Sequence, residues 1–388
     1  MDSLRDELFE TFETLRIPQV SVVIPTRDEE CSIATCIEKI KSAFKQLGVE
    51  GEIVVCDNSR DNTPLIASSL GARVFMPDKL GYGYALRFGF TRARGDFIVM
   101  GDGDDTYDFS ELGKFIEPLK LGIADVVIGS RFKGEIKAKA MPWLHRYLGN
   151  PLLTRFLNLF FKANISDAHS GFRALTRDAL SRMKLRSNGM ELASEMIIEA
   201  KRRGLRIVEV PVTYYPRVGN SKLNSFSDGW RHLKFMLLYT PKHLYLIPGL
   251  FLLFAGFLLM LFSYFHVYIG FTPGLNSMIT GSLAAIVGYE LTMLGLFASV
   301  YGKQRDLFDL DSISRALLNR VSLERGLIVG FGLFAIGFAY SLHLFFKWID
   351  SDFKVLPLHG ENMIGYTLLV IGLQTIFFSF FLSLLAEK

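Results

Sequence analysis

Residues 20–25 read VSVVIP, a short run of β-branched side chains that ends at a proline. Such a run predicts a strand of a parallel sheet, because a strand that is buried on both faces is apolar throughout. Three further strands are predicted at 52–56 (EIVVC), 73–76 (RVFM) and 96–100 (DFIVM), with helical segments at 31–47, 63–70 and 84–93. Strands that alternate with helices indicate an α/β fold with a doubly wound sheet.

The composition of the chain changes along its length. Of the 388 residues, 50% are hydrophobic and 21% are charged, which is too apolar for a wholly soluble protein. Charged residues are spread evenly to about residue 231, and long apolar runs follow from residue 243. The net charge of +4 is mild and gives no case for binding nucleic acid. Four apolar runs reach the roughly 20 residues that a helix needs to cross a bilayer; they lie at about 244–265, 278–301, 326–346 and 363–385.

These patterns predict four parts of the chain. An α/β domain at 19–225 follows a polar N-terminal extension at 1–18, and a membrane domain occupies 243–388. Between the two domains, 226–242 is predicted to be an amphipathic helix at the surface of the lipid bilayer. A similar stretch at 142–162 interleaves aromatic and aliphatic residues with Arg and Lys, which suits the headgroup plane. Packing of both stretches against the α/β domain is the alternative.

Basic residues flank the apolar runs unevenly. The connection at 302–325 contains five Lys or Arg residues, whereas the connection at 266–277 contains none. By the positive-inside rule, the α/β domain, the 302–325 connection and both termini are predicted to be cytoplasmic. Glu290 lies near the middle of the second run. Since an ionised carboxylate is costly there, we expect Glu290 to face the interior of the helix bundle.

Three of the predicted strands end in acidic loops, at 25–29, 57–61 and 102–106. Ligands of open α/β sheets bind beyond the carboxyl ends of the strands. Asp102 and Asp104 are two residues apart in such a loop and can present carboxylate oxygens to one hard divalent cation, Mg²⁺ or Mn²⁺. A nucleotide diphosphate leaving group needs such a cation, because negative charge develops on it as its bond to the sugar breaks.

Seven segments between about 20 and 235 resemble, in order and spacing, the family 2 glycosyltransferases of the glycosyltransferase-A fold. The resemblance is to the group of dolichol-phosphate-mannose and dolichol-phosphate-glucose synthases. Each segment is common by itself, whereas the ordered set is specific. The segments are 22–30 (VVIPTRDEE), 55–63 (VCDNSRDNT), 79–85 (KLGYGYA), 102–105 (DGDD), 129–132 (GSRF), 170–173 (SGFR) and 217–222 (RVGNSK).

The resemblance implies an inverting transfer of mannose or glucose from GDP-mannose or UDP-glucose to dolichyl or polyprenyl phosphate. It assigns the divalent cation and the diphosphate to Asp102 and Asp104, which together with Arg131 form the implied catalytic set. The other nucleotide-sugar contacts that it implies are Pro25, Arg27, Glu29, Asp57 and Gly83. The implied contacts to the acceptor phosphate are Arg131, Arg173, Arg217, Ser221 and Lys222.

Arginine forks and lysine point charges are how proteins hold phosphate. Arg217 and Lys222 stand just before the predicted membrane-facing helix, so we expect them to lie apart from the nucleotide site. Glu191 and Glu195 are four residues apart on one helical face. A phosphate acceptor needs little help from a general base. These glutamates are therefore expected either to orient the basic residues or the donor hexose, or to be structural.

Two other classes of protein remain open. A processive polysaccharide synthase would share the domain and the membrane spans, but its usual Gln-x-x-Arg-Trp motif does not occur in this sequence. A non-catalytic transport component with a degenerate nucleotide-binding domain would have lost the metal carboxylates, whereas Asp102 and Asp104 are both present. Association of copies into a homo-oligomer through the membrane domain is also left open.

Overall fold

A computed structural model of the chain describes residues 18–219, 225–320, 322–354, 360 and 362–386. Almost all of the predicted N-terminal extension, together with Ser221 and Lys222, lies outside the described residues. The chain divides into two compact units, of which the first ends at Met236 and the second begins at Leu237.

The first unit is built on a seven-stranded mixed sheet. Its strands are β1 (Val20–Thr26), β2 (Gly51–Asp57), β3 (Arg73–Phe75), β4 (Phe97–Met100), β5 (Val126–Ile136), β6 (Arg173–Thr176) and β7 (Ile207–Tyr214). They lie side by side in the order β3-β2-β1-β4-β6-β5-β7. The first four strands pair in parallel, as predicted. Strand β6 runs antiparallel to both β4 and β5, and β5 pairs in parallel with β7.

Helices cover both faces of this sheet, which confirms the predicted doubly wound α/β fold. Val22 and Ile24 of β1 face an apolar cluster that includes Ile37, whereas Val23 faces a second cluster that includes Leu86. Alternate residues of one strand thus enter two separate cores. The helices of this unit are α1 (Ile33–Leu47), α2 (Thr63–Ser69), α3 (Tyr82–Arg92), α4 (Leu112–Lys120), α5 (Asn150–Phe161), α6 (Arg177–Arg182), α7 (Leu192–Arg202) and α8 (Ser225–Leu238).

Parallel pairing brings the carboxyl ends of β1, β2 and β4 to one edge of the sheet. The loops after β1 and β2 are joined by hydrogen bonds from Asp28 N to Ser59 Oγ at 2.7 Å and from Glu29 N to Thr63 Oγ1 at 2.9 Å. The loop after β4 is joined to the start of α1 by the Ser32 hydroxyl, which donates to Gly103 O at 2.7 Å. The three acidic loops therefore form one continuous surface.

The two amphipathic stretches combine packed and exposed apolar residues. In the first stretch, Leu157 of α5 is buried and Phe156 packs against the second apolar cluster. Trp143 and Tyr147 of the same stretch are exposed. In α8, Met236 is buried whereas Trp230 is exposed. Packing against the α/β domain and an outward apolar face therefore coexist in each stretch.

Among its described residues, the second unit contains four helices that are long and apolar enough to cross a membrane. The predicted spans lie on these helices and end within a few residues of them. A short helix, α11 (Ser312–Leu318), separates the second and third. The long helices are α9 (Ile247–Tyr264), α10 (Leu275–Gln304), α12 (Leu323–Asp350) and α13 (Asn362–Ala386).

Glycines allow the backbones of α9 and α10 to approach closely. Gly249 and Gly256 of α9 face Gly281 and Gly288 of α10. A Cβ on Gly288 would lie 2.2 Å from Leu253 N, a distance that real Cβ atoms do not adopt. Only small residues therefore fit on the side of α10 that packs against α9, as in many membrane helix pairs.

This packing overturns the prediction for Glu290. We expected its side chain to face the bundle interior, but it is exposed on the outside of α10. The reason is helical spacing: the small buried residues Gly281, Ala285, Gly288 and Thr292 occupy the side that packs, and Glu290 falls outside that side.

We predict that Gly288→Ala lowers the free energy of unfolding by about 1–3 kcal/mol, because the added methyl group must push α9 away. Gly332→Ala is the matched control, since a Cβ at Gly332 of α12 meets nothing within 4 Å. Thermal unfolding of the detergent-solubilised full chain compares the two variants. A Gly288→Ala midpoint equal to or above that of Gly332→Ala would contradict the packing described.

Candidate active site

Asp102 and Asp104 follow β4 directly and lie at the edge where the three acidic loops meet. The Tyr82 hydroxyl donates to Asp102 Oδ1 at 2.9 Å. Thr106 donates to Asp104 Oδ1 twice, from its amide at 3.1 Å and from its hydroxyl at 2.6 Å. These hydrogen bonds engage Oδ1 of each carboxylate. These contacts orient both side chains.

Arg217 occupies the second oxygen of Asp104. Its Nη2 lies 3.0 Å from Asp104 Oδ2 and 3.1 Å from Glu29 Oε1. We call the loop after β4 the metal-motif loop, because it carries Asp102 and Asp104. The segment after β7 is attached to this loop by two backbone hydrogen bonds, from Tyr215 N to Thr106 O at 2.9 Å and from Val218 N to Asp104 O at 3.2 Å. The expectation that Arg217 lies apart from the nucleotide site is therefore wrong, because β7 ends at the same edge of the sheet.

The neighbouring negative charges alter the protonation of Asp102. Burial, and after it the negative charge of Asp104, raise the pKa of Asp102 to about 7. The hydrogen bond from Tyr82 and the charges of Arg217 and Arg131 act in the opposite direction. A cation placed between the two aspartates would relieve the repulsion between them.

The residues present fit a hard divalent cation that also holds a diphosphate. Within the described residues, no group of three or more His, Cys, Asp or Glu side chains could hold a metal ion. Asp102 and Asp104 would supply only two ligands, which leaves the remaining positions to phosphate oxygens or water. Gly171 leaves space beside the second oxygen of Asp102, since a Cβ there would lie 2.7 Å from Oδ2.

The other implied nucleotide contacts differ in their exposure. Arg27 is exposed and Pro25 is half-buried, so both are open to a ligand. Asp57 has no exposed surface. Its carboxylate accepts hydrogen bonds from Thr26 Oγ1 at 2.7 Å, Ser59 Oγ at 2.5 Å and Ser59 N at 3.0 Å. Asp57 therefore holds the turn after β2 in shape and presents no open oxygen in this conformation.

Gly83 does not lie at the surface of the site. It is buried in the first turn of α3, and a Cβ there would be 2.6 Å from Gly189 O and 2.8 Å from Ser187 O. The glycine is thus required by the close approach of α3 to the 187–189 loop. In the described conformation this corrects the implied contact between Gly83 and the nucleotide sugar.

Two of the implied phosphate-binding arginines are engaged by the protein. Arg131 forms a fork with Asp167, from Nε to Oδ2 at 2.7 Å and from Nη2 to Oδ1 at 2.8 Å. Arg173 is fully buried, and its guanidinium donates to the carbonyls of Ser170, Ala193 and Ala168 at 2.6–2.9 Å. The implied phosphate contact of Arg173 is corrected, because its guanidinium has no open side in this conformation.

Glu195 is a structural residue in this conformation. Its two carboxylate oxygens accept hydrogen bonds from Arg186 N and Ser187 N, both at 2.8 Å. Glu191 accepts one from Gly189 N at 3.0 Å. Its second oxygen is buried without a hydrogen-bond partner among the described residues.

Three residues near the site were missed by reasoning from the sequence: Tyr82, Asp167 and His169. Tyr82 lies inside the glycine-rich segment at 79–85, which offered a signal for it, whereas Asp167 and His169 lie in no motif quoted above. His169 has two buried ring nitrogens without a hydrogen-bond partner in the described part of the chain. Its ring meets that of His232 edge to face, with centroids 4.4 Å apart. Burial, and then the charges of His232, Arg131 and Arg173, hold the pKa of His169 well below its usual value.

Comparison with known proteins places this geometry in a family. The model of glycosyl transferase family 2 matches residues 21–183, and that of the glycosyltransferase family 2 C-terminal transmembrane region matches residues 296–386. The chain is 44% identical to the low-salt glycan biosynthesis hexosyltransferase Agl6 of Haloferax volcanii, over 98% of this chain and 92% of that protein.

Two shorter relatives from the same organism match about half of the chain. The dolichyl-phosphate hexose transferase of Haloferax volcanii is 35% identical over 54% of this chain and 89% of its own length. The glycosyltransferase AglJ is 34% identical over 53% of this chain and 66% of its own length. The mixed sheet of the first unit is accordingly a glycosyltransferase-A domain. The chain is an integral membrane glycosyltransferase that belongs to glycosyl transferase family 2.

Proposed function

We propose that this glycosyltransferase moves a hexose from a nucleoside diphosphate sugar to dolichyl or polyprenyl phosphate. The observation that carries the proposal is Arg217, which joins the metal-motif carboxylate Asp104 to Glu29 at the edge of the sheet. A positive charge at that point can attract both anions that come together in the reaction, the diphosphate of the donor and the phosphate of the acceptor.

The donor side of the site is proposed around Asp102 and Asp104. A divalent cation bound there would neutralise the departing diphosphate. Arg217 would then release Asp104 and turn its guanidinium to phosphate oxygens, which arginine binds well. Arg27 and Pro25 are available to the nucleotide, and Asp57 would support the turn that receives it.

The acceptor side is proposed to lie against Arg217 and Arg131, with Ser221 and Lys222 as further phosphate contacts. Arg131 keeps Nη1 outside its fork with Asp167 and can offer it to an anion. A phosphate oxygen is already a nucleophile at neutral pH, so the site requires no general base. The engagement of Glu195 with two backbone amides agrees with that reading.

The proposed reaction is a single displacement. A phosphate oxygen of the lipid attacks the anomeric carbon, the bond from that carbon to the diphosphate breaks, and the configuration inverts. Mannose from GDP-mannose and glucose from UDP-glucose are the proposed donors. The hexose is supported by two relatives that are named as hexose transferases, and the two nucleotides are supported by the resemblance of the motifs.

The lipid acceptor rests on two supports. One relative is named for transfer to dolichyl phosphate, and the second unit carries four helices that can cross a membrane. A cytoplasmic catalytic domain and cytoplasmic termini are proposed from the basic connection at 302–325. Activated nucleotide sugars would then reach the site from the cytoplasm.

The direct test incubates the purified full chain with radiolabelled GDP-mannose or UDP-glucose and dolichyl phosphate. Dolichol is the matched acceptor without phosphate. We expect labelled lipid from dolichyl phosphate alone, because only the phosphate oxygen is nucleophilic without a base. Asp104→Asn should reduce the rate by a factor of roughly 100–1,000, since a contact to the developing charge is lost.

Asp178→Asn is the control, because Asp178 is an exposed aspartate of α6 outside the site. Equal transfer to dolichol would contradict the proposed acceptor. A growing sugar polymer made without lipid phosphate would instead favour the processive synthase.

A second prediction concerns the double role of Arg217. Arg217→Ala should raise the KM for dolichyl phosphate about tenfold or more, since a charge-assisted contact to phosphate is lost. It should also weaken binding of UDP or GDP with Mn²⁺ about two- to fivefold, the effect expected of a partly exposed cation. Arg217→Lys should restore part of each, because an ammonium keeps the charge without the fork.

Steady-state kinetics and calorimetry measure the two effects separately. Arg206→Ala is the control, because Arg206 pairs with Asp125 at the opposite, amino end of the strands. A change in lipid KM with unaltered nucleotide affinity would show that Arg217 serves the acceptor alone.

A further inference from the structure

The outer face of α10 is a narrow exposed stripe. Between residues 280 and 301, the exposed side chains of this helix recur at intervals of three and four residues, with one interval of seven. With the interval of seven counted as two intervals, the spacing averages 3.5 residues, the repeat of helices that pack in a left-handed pair. We call it the outer stripe; its members are Thr280, Leu283, Val287, Glu290, Leu294 and Tyr301.

Glu290 lies at the centre of the outer stripe and of the helix. It is 15 residues from Leu275 and 14 from Gln304, the two ends of α10, which corresponds to about 21–22 Å in either direction. No hydrogen bond or ion pair joins its side chain to the residues that the structure describes. A carboxyl group at this depth is costly in lipid unless it is neutral and finds a partner.

Other polar side chains of α10 have partners within the same unit. The Ser282 hydroxyl shares a hydrogen bond with Thr367 Oγ1 at 2.7 Å, and the Tyr289 hydroxyl shares one with Thr375 Oγ1 at 2.7 Å. The Thr292 hydroxyl donates to Gly288 O at 2.8 Å. Glu290 differs from these residues because it points away from both α9 and α13. No partner for its carboxyl group lies within the described part of the chain.

We propose that the outer stripe docks against the outer stripe of a second copy of this chain, with the two Glu290 carboxyls hydrogen-bonded to each other. Copies inserted with the same topology have parallel α10 helices, and every residue lies at the same depth in both. A two-fold axis along the membrane normal therefore places Glu290 opposite the Glu290 of the second copy. A protonated carboxyl both donates and accepts, so this pair is self-complementary.

A second copy fits the stripe better than other occupants. Lipid chains offer no hydrogen-bond partner at this depth. A different membrane protein would need its own polar side chain at the same level of the bilayer, whereas a second copy provides one by symmetry. The flanking residues Val287 and Leu294 are aliphatic and exposed, and two such helices can interlock at the 3.5-residue spacing.

Cysteine cross-linking in membranes tests the pairing. In a Cys31→Ser background, which removes the exposed native thiol, Val287→Cys and Leu294→Cys should each give a disulfide-linked dimer under mild oxidation. Ile336→Cys is the matched control, since Ile336 is exposed on the outside of α12. We expect no dimer from that variant. Equal cross-linking at all three positions, or none at 287 and 294, would overturn the proposal.

Substitution of Glu290 tests the role of the carboxyl. Association of the purified full chain in detergent is measured by energy transfer between two labelled populations on dilution. Glu290→Leu should weaken association about three- to twentyfold, the range measured for hydrogen bonds between membrane helices, whereas Glu290→Gln should retain most of it. Unchanged or tighter association of Glu290→Leu, or a wild-type chain that stays monomeric, would overturn the pairing. A monomeric wild-type chain is also the result expected if Glu290 binds a different protein.

Discussion

The site is governed by the repulsion between negative charges collected at one edge of a sheet. Asp102 and Asp104 leave the same strand end, and Glu29 enters from the neighbouring loop. Three features counter that repulsion: hydrogen bonds from Tyr82 and Thr106, and the guanidinium of Arg217. Arg217 reaches this position because β7 runs in the same direction as β5 and ends at the same edge. The placement of the last strand thus decides the electrostatics of the first loops.

The arginines implied by the motifs divide according to burial. Arg173 is buried, and its guanidinium donates hydrogen bonds to backbone carbonyls. These bonds hold the 168–173 turn and the start of α7 in place. Arg131 is held in a rigid fork by Asp167, which leaves its remaining nitrogen in one direction. Arg217 alone among the three contacts the metal-motif carboxylates directly. The three arginines of these motifs therefore have three different physical roles.

Local patterns in the sequence were sufficient for the first half of the catalytic domain and for the membrane helices. Residues 20–24, 53–56 and 98–100 are buried on both faces of the sheet, so the apolar character of these runs identified parallel strands, and the acidic loops after them followed. Strands β5, β6 and β7 were not predicted, because β6 inserts antiparallel between β4 and β5 and that pairing depends on distant segments.

The errors have the same origin. Without β7, nothing in the sequence brings Arg217 to Asp104, and its nearness to the membrane half suggested a separate site. Glu290 was expected inside the bundle because a carboxylate that faces lipid is costly. Its outward position follows from the glycines that commit the opposite side of α10 to α9. Burial of Arg173 and of Gly83 likewise depends on neighbours far away in the sequence.

We infer that Arg217 holds Asp104 when no cation is bound and moves away when metal and diphosphate bind. An experimental structure of the full chain with Mn²⁺ and UDP or GDP tests this most directly. The expected result is metal on the carboxylates of Asp102 and Asp104, with Arg217 Nη2 moved beyond about 4 Å from Asp104 Oδ2, the limit of an ion pair. The guanidinium is also expected to contact phosphate oxygens. A metal bound away from these carboxylates, or an Arg217–Asp104 contact that persists at 3.0 Å, would contradict it.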